Sequence, residues 1–281
     1  MRLDRMNWPE VEERLAAGRC GVILPLGSLE QHGAAGALGT DTICAEAVAQ
    51  RAAELAGGVA MPALAYGPAQ FNLGFAGTVS LRPSTLSALL FDVLSSLGRS
   101  GFTRVLLLTG HGGNAAPALS AIQEVFSEIS LGRLVVPRPL SVKLRAWWEG
   151  PRCGALRSKL YADREGFHAT PSEIAIALHV TGAPHGAWPA FRALAPDPLV
   201  DLGGDRHEDA LRHRARYPDG PVGSDPSLAT AEHGAALLSA AAEDVAETFR
   251  AFEAAEEPNH SPRQAVASTS TMMPAAKKPV M

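Results

Sequence analysis

The chain has 281 residues, 46% of them hydrophobic and 19% charged, with a formal net charge of -4. That balance is ordinary for a globular protein and excludes a disordered or fibrous bulk. The 25 basic residues are scattered, so the electrostatic footprint of a nucleic-acid partner is absent.

The N-terminal stretch lacks the apolar core of roughly 7–15 residues that a secretory signal needs, and no apolar run approaches the ~20 residues that cross a bilayer. A cytoplasmic protein without a membrane partner is expected. Cys20, Cys44 and Cys153 form no C-x-x-C pair. They fit reduced thiols, which leaves histidine and carboxylate to hold any metal.

In chain order, "CGVILPLGS" (20–28) has the length and flanks of a buried strand. Residues 40–55 repeat apolar side chains at helical spacing, with Thr40 and Asp41 as candidate caps. "GGVAMPALAYG" (57–67) and "AGTVSLRP" (76–83) read as short strands. A helix over 84–101 follows, with Ser84 as its cap and Gly101 near its end. The apolar run Val105 to Leu108 enters the glycine-rich turn "GHGGN", which opens a helix over 115–129.

"GRLVVPRPL" (132–140) reads as one more strand, and 141–166, with Trp147, Trp148 and Tyr161, as a covering loop. Helices are expected from near Pro171 and over 227–252. Residues 253–281, rich in Pro, Ser, Ala and charge, read as a disordered tail to a domain spanning 1–252. Buried strands alternating with amphipathic helices indicate an α/β domain with a largely parallel sheet, whose ligands sit beyond the carboxyl ends of the strands.

Two loops at such ends carry unusual chemistry. "GSLEQHGAAGALGTD" sets Glu30, His32 and Asp41 among small residues; Glu30 and His32 point the same way if extended, and Asp41 can return to them. His111, in "TGHGGN", adds an imidazole on the other loop. His168 and Glu173, in "GFHATPSE", would add a base and a further ligand. Together these residues would make a binuclear hydrolase, and imidazole with carboxylate suits Zn²⁺, Mn²⁺ or Fe²⁺.

Each residue also has a plainer reading. Glu173 could be a first-turn acid favoured by the helix dipole, and His168 a solvent-facing loop histidine. "GHGGN" lacks the Lys-Ser/Thr of a phosphate-binding loop. Trp147 and Trp148 fit either a substrate pocket, with Gly112, or a subunit contact. His179, His185, His207, His213, His233 and His260 have no ligand-like neighbours and read as surface residues, and Cys44 as a small core residue.

"LPLGSLEQHGAAGALGTDTICAEAVA", "FAGTVSLRPSTLSALL", "GFTRVLLLTGHGGN", "HATPSE" and "SDPSLATAEHG" occur in the order of the creatininase (creatinine amidohydrolase) family, and the likeness runs from about Val22 to Phe252. The resemblance implies a single-domain three-layer αβα sandwich, two divalent ions per subunit, hydrolysis of a C–N bond in a small polar substrate, and often a homohexamer.

By position, Glu30, His32, Asp41 and His111 resemble the family's metal ligands, with Asp41 as the bridging carboxylate and His168 as the catalytic histidine. Creatininases proper carry an acidic ligand where this chain has Gly113. Relatives with "GHGGN" carry a Glu five residues after the catalytic histidine, which here is Glu173. The departure counts against creatinine as substrate. The same site acting on a formamide, a peptide end or a cyclic polyol ketone is the alternative, ahead of a non-catalytic metal-stabilised subunit.

Overall fold

In the computed structural model, residues 1–182, 186–188, 190–194 and 209–256 are described. The elements are α1 (Trp8–Ala16), β1 (Gly21–Leu26), α2 (Thr40–Ala56), α3 (Pro83–Ser100), β2 (Arg104–Thr109), α4 (Ala115–Ser130), β3 (Ser141–Ala146), α5 (Pro151–Tyr161), α6 (Pro171–Thr181), α7 (Ala210–Arg216) and α8 (Ala231–Ala254).

The three strands pair in parallel in the order β1-β2-β3, with Val22 opposite Val105 and Val105 opposite Val142. Side-chain alternation sends Ile23, Leu106 and Leu108 into one core, and Val22, Leu24, Val105 and Leu107 into the other. Both faces are therefore covered, which is why β1 and β2 read as continuous apolar runs. Helices α2 and α8 supply the first core and α3 and α4 the second, giving a three-layer αβα sandwich. Small residues of α2 (Ala45, Ala49, Ala52, Ala53) let α8 approach closely through Ala241, Ala242 and Ala246. Among the described residues, no helix is long and apolar enough to cross a membrane.

Several sequence expectations are corrected. The strand expected over 132–140 does not form, since Pro137 and Pro139 remove two backbone donors; the strand lies at 141–146 instead. That strand and α5 replace most of the expected covering loop over 141–166. The segments 57–67 and 76–83 make only isolated bridges. Beside β1 the ladder begins, with Ile23 N–H donating to Val59 O and Met61 N–H to Ile23 O, but Pro25 has no N–H to continue it.

The helix caps also differ. Gly39 and Arg82 occupy the two N-cap positions, so neither Thr40, Asp41 nor Ser84 caps a helix. Helix α1 was not anticipated; Asn7 and Glu10 form its capping box. Helix α8 continues to Ala254, two residues past the expected domain end, and Arg104 ties that end down by donating to the carbonyls of Phe252 and Ala255. Most of the expected tail lies outside the described residues.

Candidate metal centre

Glu30, His32, Asp41, His111, His168 and Glu173 converge beyond the carboxyl ends of β1 and β2, and all six are buried. Glu30 and His32 lie on the loop leaving β1, and Asp41 in the first turn of α2. The loop closes through Glu30 N–H to Leu38 O and Thr42 Oγ1 to Ser28 O, which returns Asp41 to the pair nine and eleven residues earlier. His111 follows β2. At Gly110 a side chain would run into the Asp41 carbonyl, so only glycine lets β2 end this close to α2. His168 and Glu173 flank the start of α6.

The cluster forms overlapping groups. Glu30, Asp41 and His111 can converge on one point, His32, Asp41 and Glu173 on a second, and Glu30, His32 and His168 on a third. Asp41 belongs to both of the first two. Its Oδ1 lies 3.2 Å from His32 Nε2, and its Oδ2 lies 3.6 Å from His111 Nδ1. Glu30 Oε1 lies 3.1 Å from His111 Nδ1 and 3.6 Å from His168 Nδ1. Glu173 Oε1 lies 3.9 Å from His32 Nε2.

The outward-facing ring nitrogens set the chemistry. His32 Nδ1 lies 3.1 Å from Glu30 O, His111 Nε2 2.7 Å from Pro68 O, and His168 Nε2 2.6 Å from Gln31 O. A carbonyl accepts only, which assigns the proton to each of these nitrogens; Gln31 Nε2 also lies 2.9 Å from His168 Nε2, but its two protons go to Asn72 Oδ1 and Gly220 O. The inward nitrogens of the neutral rings then point lone pairs at carboxylate oxygens. Among the described residues, the buried Glu30 Oε1 and Asp41 Oδ2 face only these ring nitrogens and no other donor. Facing lone pairs need a positive charge between them, and the site's donors, imidazole and carboxylate without thiolate, suit a divalent cation.

Protons fill the same electrostatic need in the protein without metal. Burial alone would lower the pKa of His32, but Asp41, Glu173 and Glu30 raise it to about 10. His111 is likewise raised to about 10 by Glu30 and Asp41 against the effect of burial. Burial would raise Glu30, yet His111, His168 and His32 hold it below the usual carboxylate range. Asp41 and Glu173 are raised, chiefly by burial. His168 is lowered, again chiefly by burial, and so is neutral near pH 7.

The departure at Gly113 has a steric counterpart. A side chain there would run into His111 Nε2 and the Pro68 carbonyl, the two atoms of the bond that orients His111. An acid at 113 is therefore incompatible with this arrangement, and Glu173 approaches from α6 instead. The first-turn role of Glu173 is present, since its Oε1 accepts from Thr170 N–H at 2.5 Å in a capping box, and the same oxygen lies 3.9 Å from His32 Nε2. The "T-P-S-E" spacing that signals this box was open to the sequence reading. Ala169, at φ 50, holds a conformation uncommon for a residue with a side chain, next to His168.

Two supporting residues were missed. Gln31 Nε2 donates to Asn72 Oδ1 at 2.8 Å and to Gly220 O at 3.1 Å, and Asn72 Nδ2 donates to Glu30 Oε2 at 3.2 Å. Gln31, between two candidate ligands, offered a signal; Asn72, forty-one residues away, offered none. His213 is also corrected. It is buried on α7 between Phe71 and Tyr217, at ring-centroid distances of 5.3 and 5.0 Å, because α7 packs on the turn Gln70–Gly74. His179 is exposed and His233 half-buried, while His185, His207 and His260 lie outside the described residues. Cys44 is in the core as expected.

Every member of the cluster but His32 lines a cavity of about 770 Å³, as do Gly112, Trp147 and Trp148. Trp147 is simultaneously part of the core beside Tyr161 and Cys153. The family model described as "Creatininase: Creatinine amidohydrolase" matches residues 4–249. The chain belongs to the creatininase family. It is 33% identical over 170 residues to creatinine amidohydrolase of Pseudomonas putida, a match covering 59% of this chain and 64% of that protein. It is 38% identical over 110 residues to the mycofactocin precursor peptide peptidase of Mycolicibacterium smegmatis, covering 36% of this chain and 43% of that one. These matches thus span less than two thirds of either curated relative. The solved structure "Creatininase Mn" superposes with a TM-score of 0.74 at 27% identity, over 89% of this chain and 97% of that one.

Proposed function

We propose that this creatininase-family protein is a divalent-metal-dependent hydrolase that cleaves a C–N bond, amide or cyclic amide, in a small-molecule substrate. The observation that carries the reading is the shared carboxylate: Asp41 belongs to both the Glu30–Asp41–His111 and the His32–Asp41–Glu173 groups at the floor of one cavity. Two ions per subunit, zinc, manganese or iron, would be held there, and when bound they would supply an acidified water and Lewis acidity toward a carbonyl.

The protein's own residues would do the rest. His168, oriented by its Nε2–H donating to Gln31 O, presents the Nδ1 lone pair toward the centre. Nδ1 accepts the proton of the attacking water as oxygen bonds to the carbonyl carbon, then delivers it to the departing nitrogen as the C–N bond breaks. Gln31 and Asn72 hold His168 and Glu30 in register. Family resemblance supports a homohexamer, and the sequence supports a cytoplasmic location, one domain over 1–252 and a separate tail.

The test is elemental analysis of protein purified without chelator, followed by turnover assays with creatinine, a formamide, short peptides and cyclic polyol ketones. About two equivalents of metal with amide turnover is the expected result. Metal-free protein that hydrolyses amides would refute the mechanism, and turnover of the ketone alone would move the reading to carbon–carbon cleavage.

A further inference from the structure

The cavity is larger and more apolar than the proposed reaction requires at its reacting end. Its volume of about 770 Å³ falls within the range of pockets that enclose drug-sized ligands. At ~30 Å³ per water in the liquid, it has room for about 25 waters. The charged cluster occupies the floor. Away from it the wall is formed by Leu119 and Ile122 of α4, Val142 and Leu144 of β3, and Trp148.

Two features of this wall point to an apolar occupant. First, the charged residues beside it are matched: Arg157 Nε lies 2.8 Å from Glu165 Oε1, and Arg145 Nε lies 3.7 Å from Glu149 Oε2. Both guanidinium groups on the lining thus already have a carboxylate partner, Glu149 on the lining itself and Glu165 outside it. Second, Leu119 remains 53% exposed and Phe167 56% exposed where they border the cavity. Water against these side chains is costly, and an apolar group filling the space would remove it.

We propose that the substrate carries, beyond the bond that is cleaved, an uncharged apolar arm that lies along α4 and β3. The inference rests on the hydrolase reading above and adds the substrate class. It favours hydrophobic amides over compact polar ones such as creatinine. The continuity of the wall with the metal-capable cluster, in one cavity, makes the occupant part of the substrate rather than a separate ligand.

The probe is a series of alkyl hydroxamates on the metal-loaded protein, with acetyl, hexanoyl and octanoyl arms and an ether-containing arm as long as the octanoyl one. Binding is read from Trp fluorescence and calorimetry, so no turnover is needed. The hydroxamate head reports on the metal, and the arm reports on the wall. Affinity is expected to rise by up to about fourfold for each methylene buried, with the ether arm well behind the octanoyl one. Leu119→Gln and Ile122→Gln should each flatten that rise while metal content stays unchanged.

Equal affinities along the series, with about two bound metals, would overturn the apolar arm and leave the hydrolase reading intact. Absence of both metal and hydroxamate binding would overturn the hydrolase reading itself. A rise that survives both substitutions would overturn the placement along α4. Loss of the native oligomer in Leu119→Gln would assign the wall to a subunit contact and overturn the proposal too.

Discussion

Replacing Asp41 with Asn should have a larger effect than replacing His111 or Glu173, because Asp41 joins the Glu30–Asp41–His111 and His32–Asp41–Glu173 groups, whereas those two residues belong to one group each. The substitution keeps the shape of a side chain that is 2% exposed but removes the charge that faces His32 and His111. At free metal about 1,000 times Kd, each bound ion stabilises the fold by about 4 kcal/mol, or about 8 kcal/mol for two. At roughly 2 °C per kcal/mol for a chain of this size, metal-loaded wild type should melt ~16 °C above the chelated form. His32→Ala and His111→Ala should each keep about half of that gap and one equivalent of metal. Asp41→Asn should lose nearly all of both. The assay is scanning calorimetry with and without chelator, beside elemental analysis of the same samples. Retention of one full equivalent by Asp41→Asn, with its half of the thermal gap, would show that the carboxylate is not shared.

Three further outcomes are expected. Gly113→Ala places a methyl against His111 Nε2 and Pro68 O, and should cost ~1–3 kcal/mol of stability together with one equivalent of metal if His111 is a ligand, read by melting and elemental analysis. His168→Ala should retain its metal yet lower kcat about 10²–10⁴-fold; unchanged kcat would remove His168 from proton transfer. Metal affinity should strengthen as pH rises through the neutral range. His32 and His111 titrate at about 10 in the metal-free protein and are protonated at pH 7, so binding must release their protons. With one imidazole proton released per ion, each affinity should rise by ~10-fold per pH unit and the product of the two by ~100-fold, measurable by competition with a chromophoric chelator. A pH-independent affinity would contradict this account.

Local pattern was enough to read much of this protein. The runs around Val22–Leu26 and Val105–Leu108 were legible as strands because both sheet faces are covered, and the helices at 40–56, 83–100 and 115–130 because their periodicity is strong. The ligand-type residues were legible because Glu, His and Asp stand out against glycine and alanine in a short loop. Tertiary structure decided what depends on distant partners. The strand at 141–146 is the exception, a local signal that went unread: Ser141, Lys143 and Arg145 alternate strictly with Val142, Leu144 and Ala146. Asn72 reaches Glu30 only through folding of the intervening chain, and Gly113 becomes obligatory only once His111 bonds to Pro68. The sequence by itself determined which side chains have metal chemistry and in which order the layers alternate, since those properties are carried by single residues and by spacing. Which ring nitrogen faces inward, and that Glu30 as well as Asp41 is shared between two groups, arose only from packing, because orientation requires a hydrogen-bond partner from elsewhere in the chain.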